Sequence, residues 1–147
     1  MRIAIVGFGY WGPNLVRNFS AVKGAEVAYV CDFRQERLAI VAQNYPSIVC
    51  TSRYEDVLED TSLDAVVIAT PVFTHFELAK KALNSGKHVL IEKPMTSTSA
   101  EAHELMEIAE RFGKLLMVDH TFLYTGAVQK IKQLMVDNVI GKPTYFD

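Results

Sequence analysis

A glycine-rich segment near the amino terminus constrains the fold of this chain more than any other feature. Residues 7–12 are Gly-Phe-Gly-Tyr-Trp-Gly, directly after the apolar run Ile-Ala-Ile-Val. The order predicts a short buried strand, a tight turn and a helix from Pro13, because proline suits the first helical position. We expect Gly7 to permit the turn, Gly9 to let the backbone approach a pyrophosphate, and Gly12 to allow close helix packing.

The rest of this loop supports the same interpretation. Its free N–H groups and the positive end of the following helix dipole would face the phosphates of a dinucleotide. Phe8, Tyr10 and Trp11 belong to the predicted cofactor-binding loop. We expect Tyr10 and Trp11 to line the phosphate loop or cover the cofactor rather than take part in the chemistry.

A carboxylate stands where the partner of such a loop is required. Residues 27–31 predict a second strand that ends at Asp32, 20 residues after Gly12. A carboxylate at this point accepts hydrogen bonds from both ribose hydroxyls of an adenosine. The alternative is a helix N-cap for residues 34–44. Asp32 favours NAD because it repels the extra phosphate of NADP, whereas the nearby Arg34 leaves NADP possible.

Composition excludes several classes of protein. The chain has 147 residues, half of them hydrophobic, and a net charge of −2, so one ordinary domain with a real core is expected. No basic excess points to nucleic acid, and no apolar run is long enough to predict a membrane span. The two cysteines suggest neither a disulfide framework nor a metal site. These features predict a cytoplasmic protein without a metal.

The chain continues as alternating strands and helices, which predicts an α/β fold of the Rossmann type. We expect a doubly wound parallel sheet of about six strands with helices on both faces. Capping boxes are predicted from Thr74 with Glu77 and from Thr98 with Glu101. Further strands are predicted at 48–50, 64–69, 88–91 and 115–118, and helices at 34–44, 54–58, 74–86, 98–113 and 127–138.

Polar residues follow the predicted strands at the edge where an open parallel sheet binds its ligands. Thr70 and Pro71 follow the fourth strand, and Asp119 and His120 follow the sixth. The fifth strand leads into residues 92–94, Glu-Lys-Pro. These strand ends therefore extend the candidate site beyond the glycine loop.

Several of these segments resemble the Gfo/Idh/MocA oxidoreductases. The resemblance covers nearly the whole chain and is carried by residues 69–71, 74–75, 79, 82–83, 86–89 and 92–94, with Gly141 and Pro143 near the end. It implies a protein that uses NAD or NADP to oxidise a secondary hydroxyl of a sugar, cyclitol or sugar nucleotide. It also implies that Lys93 touches the reacting hydroxyl and the nicotinamide ribose, and that the Lys93–Pro94 peptide bond is cis.

The chemistry of alcohol oxidation gives Lys93 a role independently of that resemblance. Removal of a hydride from the carbon requires the hydroxyl proton to leave, so a positioned proton acceptor is needed near the nicotinamide. A lysine beside a proline at a strand end is well positioned, and desolvation favours its neutral form. The alternative is a solvated lysine after a strand that Pro94 merely ends.

The remaining site candidates each have a structural alternative. His75 either lines the nicotinamide pocket or lies on the surface of a first helical turn. His120 either faces the nicotinamide or the substrate, or stabilises a loop. Glu92 is expected to support Lys93 or the cofactor ribose rather than act as a base. Thr70 and Pro71 would pass beside the cofactor because their strand points there.

The division of the chain follows from its last segment. We expect a dinucleotide-binding domain at 1–124, and at 125–147 a connecting helix and the first strand of a second domain. The family resemblance places the substrate pocket, the homo-oligomer interface and further catalytic residues in that second domain. On its own, this chain is expected to bind the dinucleotide but to be a poor dehydrogenase. A non-catalytic NAD-responsive module is the alternative, and a flavin or coenzyme A would leave residues 92–94 without a role.

Overall fold

The computed structural model describes residues 1–139, 141–142 and 144–145. Its strands are β1 (Arg2–Val6), β2 (Glu26–Cys31), β3 (Val49–Thr51), β4 (Ala65–Ile68), β5 (His88–Glu92) and β6 (Leu116–Asp119). Its helices are α1 (Gly12–Ala21), α2 (Gln35–Asn44), α3 (Tyr54–Glu59), α4 (His75–Asn84), α5 (Ser99–Arg111) and α6 (Gly126–Val136). Short 3-10 turns cover Val72–Thr74 and Thr121–Tyr124.

All six strands form one parallel sheet in the order β3-β2-β1-β4-β5-β6. The predicted doubly wound Rossmann-type sheet is therefore confirmed. The order reverses between β1 and β4, which lie side by side although two strands separate them in sequence. A crevice opens at the carboxyl ends of strands at such a reversal, and the glycine loop follows β1 into it.

Apolar residues cover both faces of the sheet, as alternating side chains of a buried parallel strand require. In β1, Ile3 and Ile5 pack with residues of α1 and α2. Ala4 and Val6 face the opposite side, where α3, α4 and α5 supply the packing residues. Helices therefore lie on both faces, as predicted.

The helix starts differ from the sequence prediction in one place. Thr98 and Glu101 form the predicted capping box at α5. The box predicted for Thr74 and Glu77 is wrong, because the Thr74 side chain does not cap α4. Its hydroxyl donates instead to the carbonyl oxygen of Pro71 at 2.7 Å, inside the 3-10 turn before the helix.

Two predictions concern the chain beyond the sheet. No helix in the described part of the chain is both long and apolar enough to cross a membrane. The first strand of a second domain, predicted from Thr144 at the end of the segment 125–147, lies partly outside the described residues, and Thr144 and Tyr145 carry no regular secondary structure.

Candidate functional site

The first part of the candidate site is a cavity of about 540 Å³ at the reversal of strand order. The loops after β1, β2 and β4 form most of its wall. Eight of the predicted cofactor-binding residues line it: Gly7, Gly9, Tyr10, Trp11, Asp32, Arg34, Thr70 and Pro71. The topology thus brings together residues that lie far apart in sequence.

The three glycines of the loop differ in the space that a side chain would find at each position. Gly7 has φ +97°, and a Cβ there would lie 2.6 Å from the carbonyl oxygen of Ala69. A Cβ on Gly12 would lie 2.7 Å from the carbonyl oxygen of Gly7. A Cβ on Gly9 would have a single neighbour, an Arg34 guanidinium nitrogen at 3.8 Å. Packing within the protein therefore requires Gly7 and Gly12, whereas glycine at position 9 leaves open space above the loop.

The aromatic residues of the loop lie in two different environments. Phe8 is only 2% exposed and packs in the core beneath the loop, so its side chain does not line the cavity. Tyr10 is 86% exposed, and Trp11 is also exposed. Their rings meet edge to face, with centroids 5.4 Å apart. These two side chains therefore stand at the open mouth of the cavity.

Asp32 is a buried carboxylate whose oxygens are held from several directions. The Phe8 N–H donates to Oδ2 at 2.7 Å, and the Arg34 N–H donates to Oδ1 at 2.9 Å. The Arg34 guanidinium adds one hydrogen bond to each oxygen, both at 3.0 Å. Burial raises the pKa of Asp32, but the hydrogen bonds from Arg34 and Phe8 outweigh it and bring the pKa below its ordinary value. Asp32 therefore remains an anion in the wall of this cavity.

The segment after β4 forms the opposite wall. The Thr70 and Thr74 hydroxyl oxygens lie 2.6 Å apart, and Thr74 already donates to Pro71. The Thr70 hydroxyl therefore donates to Thr74, which fixes the turn that carries both side chains. His75 follows this turn but is 1% exposed, so it does not lie on the surface. It is also absent from the lining of the cavity.

A second cavity, of about 460 Å³, lies at the carboxyl ends of β5 and β6. Its lining residues are Lys93, Asp119, His120, Thr121, Phe122, Leu123 and Val128. The structure thus brings together Lys93 and His120, which the sequence analysis selected separately. The Lys93–Pro94 peptide bond is cis, as the family resemblance implied.

Glu92 directly precedes Lys93 in the chain, and its carboxyl group interacts with that of Asp119. It is paired with Asp119 across β5 and β6, and its Oε2 accepts the Lys93 N–H at 3.3 Å. Burial raises the pKa of Glu92, and the neighbouring Asp119 carboxylate raises it further. The Glu92 carboxyl group thus contacts the Lys93 backbone, and a role in supporting Lys93 or the cofactor ribose stays a prediction.

Sequence reasoning missed several residues of the site. Asp119 was noted at a strand end but was not selected, although it shares the second cavity with Lys93. Ser52 and Tyr54, which follow β3, line the first cavity. The strand-end rule that selected Asp32 would also have found them. Among the described residues, no group of three histidine, cysteine or acidic side chains is placed to hold a metal ion.

Comparisons with known proteins agree with this geometry. The model of an oxidoreductase family with an NAD-binding Rossmann fold matches residues 1–120. A relative from Bacillus subtilis, scyllo-inositol 2-dehydrogenase (NAD(+)), is 31% identical over 99% of this chain and 43% of its own length. A solved NAD-binding protein from Listeria innocua is 38% identical, with a TM-score of 0.87 over 96% of this chain and 41% of that one.

A third similar protein was solved with a different cofactor. It is a 3-ketoreductase from Actinomadura kijaniata, in complex with TDP-benzene and NADP. It is 26% identical, with a TM-score of 0.87 over 97% of this chain and 45% of that one. The chain therefore spans about two fifths of the length of the proteins it matches.

Proposed function

The chain belongs to the Gfo/Idh/MocA oxidoreductase family, and on that premise we propose that it is the cofactor-binding part of a dehydrogenase. The enzyme would use a nicotinamide dinucleotide to oxidise a secondary hydroxyl of a sugar, cyclitol or sugar nucleotide. One observation carries this proposal: Lys93 and His120 share a cavity at the same sheet edge as the glycine-loop cavity.

The glycine loop fits the pyrophosphate of such a cofactor. The space above Gly9 is open in a loop where Gly7 and Gly12 are closely packed. The amino terminus of α1 begins at Gly12, so its unpaired N–H groups lie next to that space. Tyr10 and Trp11 stand at the mouth, where they could cover a bound dinucleotide.

We propose NAD as the preferred cofactor, with NADP also accepted. The Asp32 carboxylate suits the two ribose hydroxyls of NAD, and its lowered pKa keeps it charged. Arg34 holds that carboxylate now, so its guanidinium must move aside before Asp32 can accept from a ribose. The displaced guanidinium suits the extra phosphate of NADP. The relative and the 3-ketoreductase differ in the same way, one named for NAD(+) and the other bound to NADP.

The proposed reaction assigns the proton to Lys93 and the hydride to the cofactor. When bound, the nicotinamide ring supplies the acceptor for the hydride that leaves the alcohol carbon. The Lys93 amine would accept the hydroxyl proton, while the carbon–oxygen bond of the alcohol becomes a carbonyl. His120 and Asp119 line the same cavity and could hold further hydroxyls of a polyol.

The proposal also includes a domain boundary after residue 124. Helix α6 exposes the apolar residues Ile131, Met135 and Val136. We propose that residues 125–147 lead into a second domain that covers this helix and completes the substrate pocket. A homo-oligomer would then form through that second domain.

Calorimetric titration with NAD and NADP tests the cofactor proposal directly. We expect both to bind, NAD more tightly, and Asp32→Ala to weaken NAD more than NADP. The matched control is Asp137→Ala, which removes a carboxylate beyond α6 and far along the chain from the loop. If neither dinucleotide binds, or if Asp32→Ala leaves the ratio of the two affinities unchanged, the proposal is wrong.

The enzymatic step needs a chain that includes a second domain. Reduction of NAD with inositols, free sugars or sugar nucleotides should then be measurable and should be lost in Lys93→Ala. Turnover retained in that variant would remove Lys93 from the reaction. A non-catalytic NAD-responsive module is the second candidate function, because the glycine-loop cavity alone would suffice to bind the dinucleotide. Dinucleotide binding without turnover of any of these substrates would support it.

A further inference from the structure

His75 joins the two halves of the candidate site from below. Its ring Nδ1 lies 2.9 Å from the carbonyl oxygen of Pro94, and its Nε2 lies 2.8 Å from the carbonyl oxygen of Thr70. Thr70 lines the glycine-loop cavity, and Pro94 directly follows Lys93. The imidazole is 1% exposed, so water does not compete for these two hydrogen bonds.

We propose that His75 is a positioning residue for Lys93, holding the segment that carries Lys93 against the wall of the dinucleotide cavity. The proposal rests on the role given to Lys93 under Proposed function. Both flanks of Lys93 are then fixed. Its own N–H donates to Glu92 at 3.3 Å, and the carbonyl of the next residue is held by the His75 ring. A change at Thr70 on dinucleotide binding would reach Lys93 through one rigid ring.

The two hydrogen-bond partners of His75 determine which protonation state of the ring can hold both segments. Both are carbonyl oxygens, which accept hydrogen bonds and cannot donate them. A neutral imidazole has one N–H, so it satisfies one carbonyl and turns a lone pair towards the other. The imidazolium form donates to both. The link between Thr70 and Pro94 is therefore complete only while the ring carries two protons.

The segments that carry or contact the His75 ring differ in their ionisable side chains. The end of β5 carries Glu92 and Lys93, and the first turn of α4 carries Glu77. The segment from Ala69 to Thr74 contains no ionisable side chain. The ionisable side chains of these segments are therefore at the end of β5 and on α4.

The test is nuclear magnetic resonance on this chain without any cofactor. Ring ¹⁵N shifts of His75 and backbone order parameters of Lys93 and Met95 are followed together over a pH titration. We expect order parameters above about 0.8 while the ring carries two protons, falling towards about 0.6 over the interval in which one proton leaves. His75→Phe should lower them at every pH. His75→Gln, which offers a single donor nitrogen and does not titrate, should give an intermediate value without the pH dependence.

A matched variant and a second ligand experiment make the outcome decisive. His103→Gln removes an exposed histidine on α5 whose ring Nδ1 lies 2.7 Å from the Ser99 carbonyl oxygen of the same helix, and it should change nothing at Lys93. If Lys93 and Met95 stay equally ordered in both His75 variants, or through loss of the ring proton, the inference is wrong. If His75→Phe does not fold, His75→Gln and the pH titration decide. Addition of NADH to the unmodified chain tests the proposed function separately, through the Gly9 amide.

Discussion

Replacement of Gly9 by alanine separates ligand binding from folding in the glycine loop. At this position the backbone does not have a positive φ, and a Cβ would have only the Arg34 guanidinium nitrogen as a neighbour, at 3.8 Å. The methyl group therefore fits the protein. Because alanine restricts the unfolded chain more than glycine does, we expect the free energy of unfolding to rise by about 0.5 kcal/mol.

The same methyl group projects into the space assigned to the pyrophosphate. We expect the affinity for NAD to fall at least about tenfold, which corresponds to about 1.4 kcal/mol. Urea unfolding followed by circular dichroism measures the stability, and calorimetric titration measures the affinity. Together they should show a protein that is slightly more stable than the parent but binds the dinucleotide poorly.

Two other glycines provide controls for this experiment. Gly12→Ala places a Cβ 2.7 Å from the carbonyl oxygen of Gly7, so crowding should destabilise the fold by about 1–3 kcal/mol. Gly126→Ala, at the start of α6, meets nothing within 4 Å and should leave NAD binding unchanged. Unaltered NAD affinity in Gly9→Ala would refute the assignment of the open space to the ligand.

Three further substitutions test other parts of the site and fold. Arg34→Ala should weaken NADP at least about tenfold relative to NAD, because it removes the guanidinium beside Asp32; an unchanged ratio in calorimetry would contradict this. Burial and the Asp119 carboxylate raise the pKa of Glu92, so the folded chain retains a proton that the unfolded chain loses. The free energy of unfolding should therefore fall as pH rises from the ordinary pKa of a glutamate to the raised pKa of Glu92. In Asp119→Asn, which lacks the neighbouring carboxylate, urea unfolding should show a smaller fall. Thr98→Ala removes the capping box of α5 and should cost about 1 kcal/mol by the same assay, whereas an unchanged midpoint would exclude the cap.

Much of the fold could be predicted because its signals are local in sequence. The apolar run before Gly7, the carboxylate at Asp32 and the apolar strand at 64–69 each follow from a few neighbouring residues. The helices and strands predicted from such local segments begin and end within about two residues of those in the structure. The side-chain cap of α4 was predicted wrongly: Thr74 is the N-cap residue, but its hydroxyl donates to the Pro71 carbonyl oxygen and accepts no hydrogen bond from a helix N–H.

Residues of the candidate site could be predicted from the sequence where they directly follow a strand. Asp32, Thr70, Lys93 and His120 follow their strands, and a parallel sheet gathers such residues at one edge. Asp119 was not selected, because its importance depends on being opposite Glu92 across two strands. No pattern along the chain shows that pairing.

The sequence by itself determined the order of strands and helices, the glycine loop and the residues that end each strand, because short-range sterics and periodic burial govern these features. Only the tertiary structure decided which side chains are buried away from water. Lys87 shows this clearly: lysines are usually exposed, but this one is 2% exposed, with Nζ donating to the Asp60 carbonyl at 2.7 Å. His75 shows it at the site, since its partners Thr70 and Pro94 stand on different strand ends. Burial and hydrogen-bond partners depend on contacts between distant segments, and those contacts exist only once the sheet is assembled.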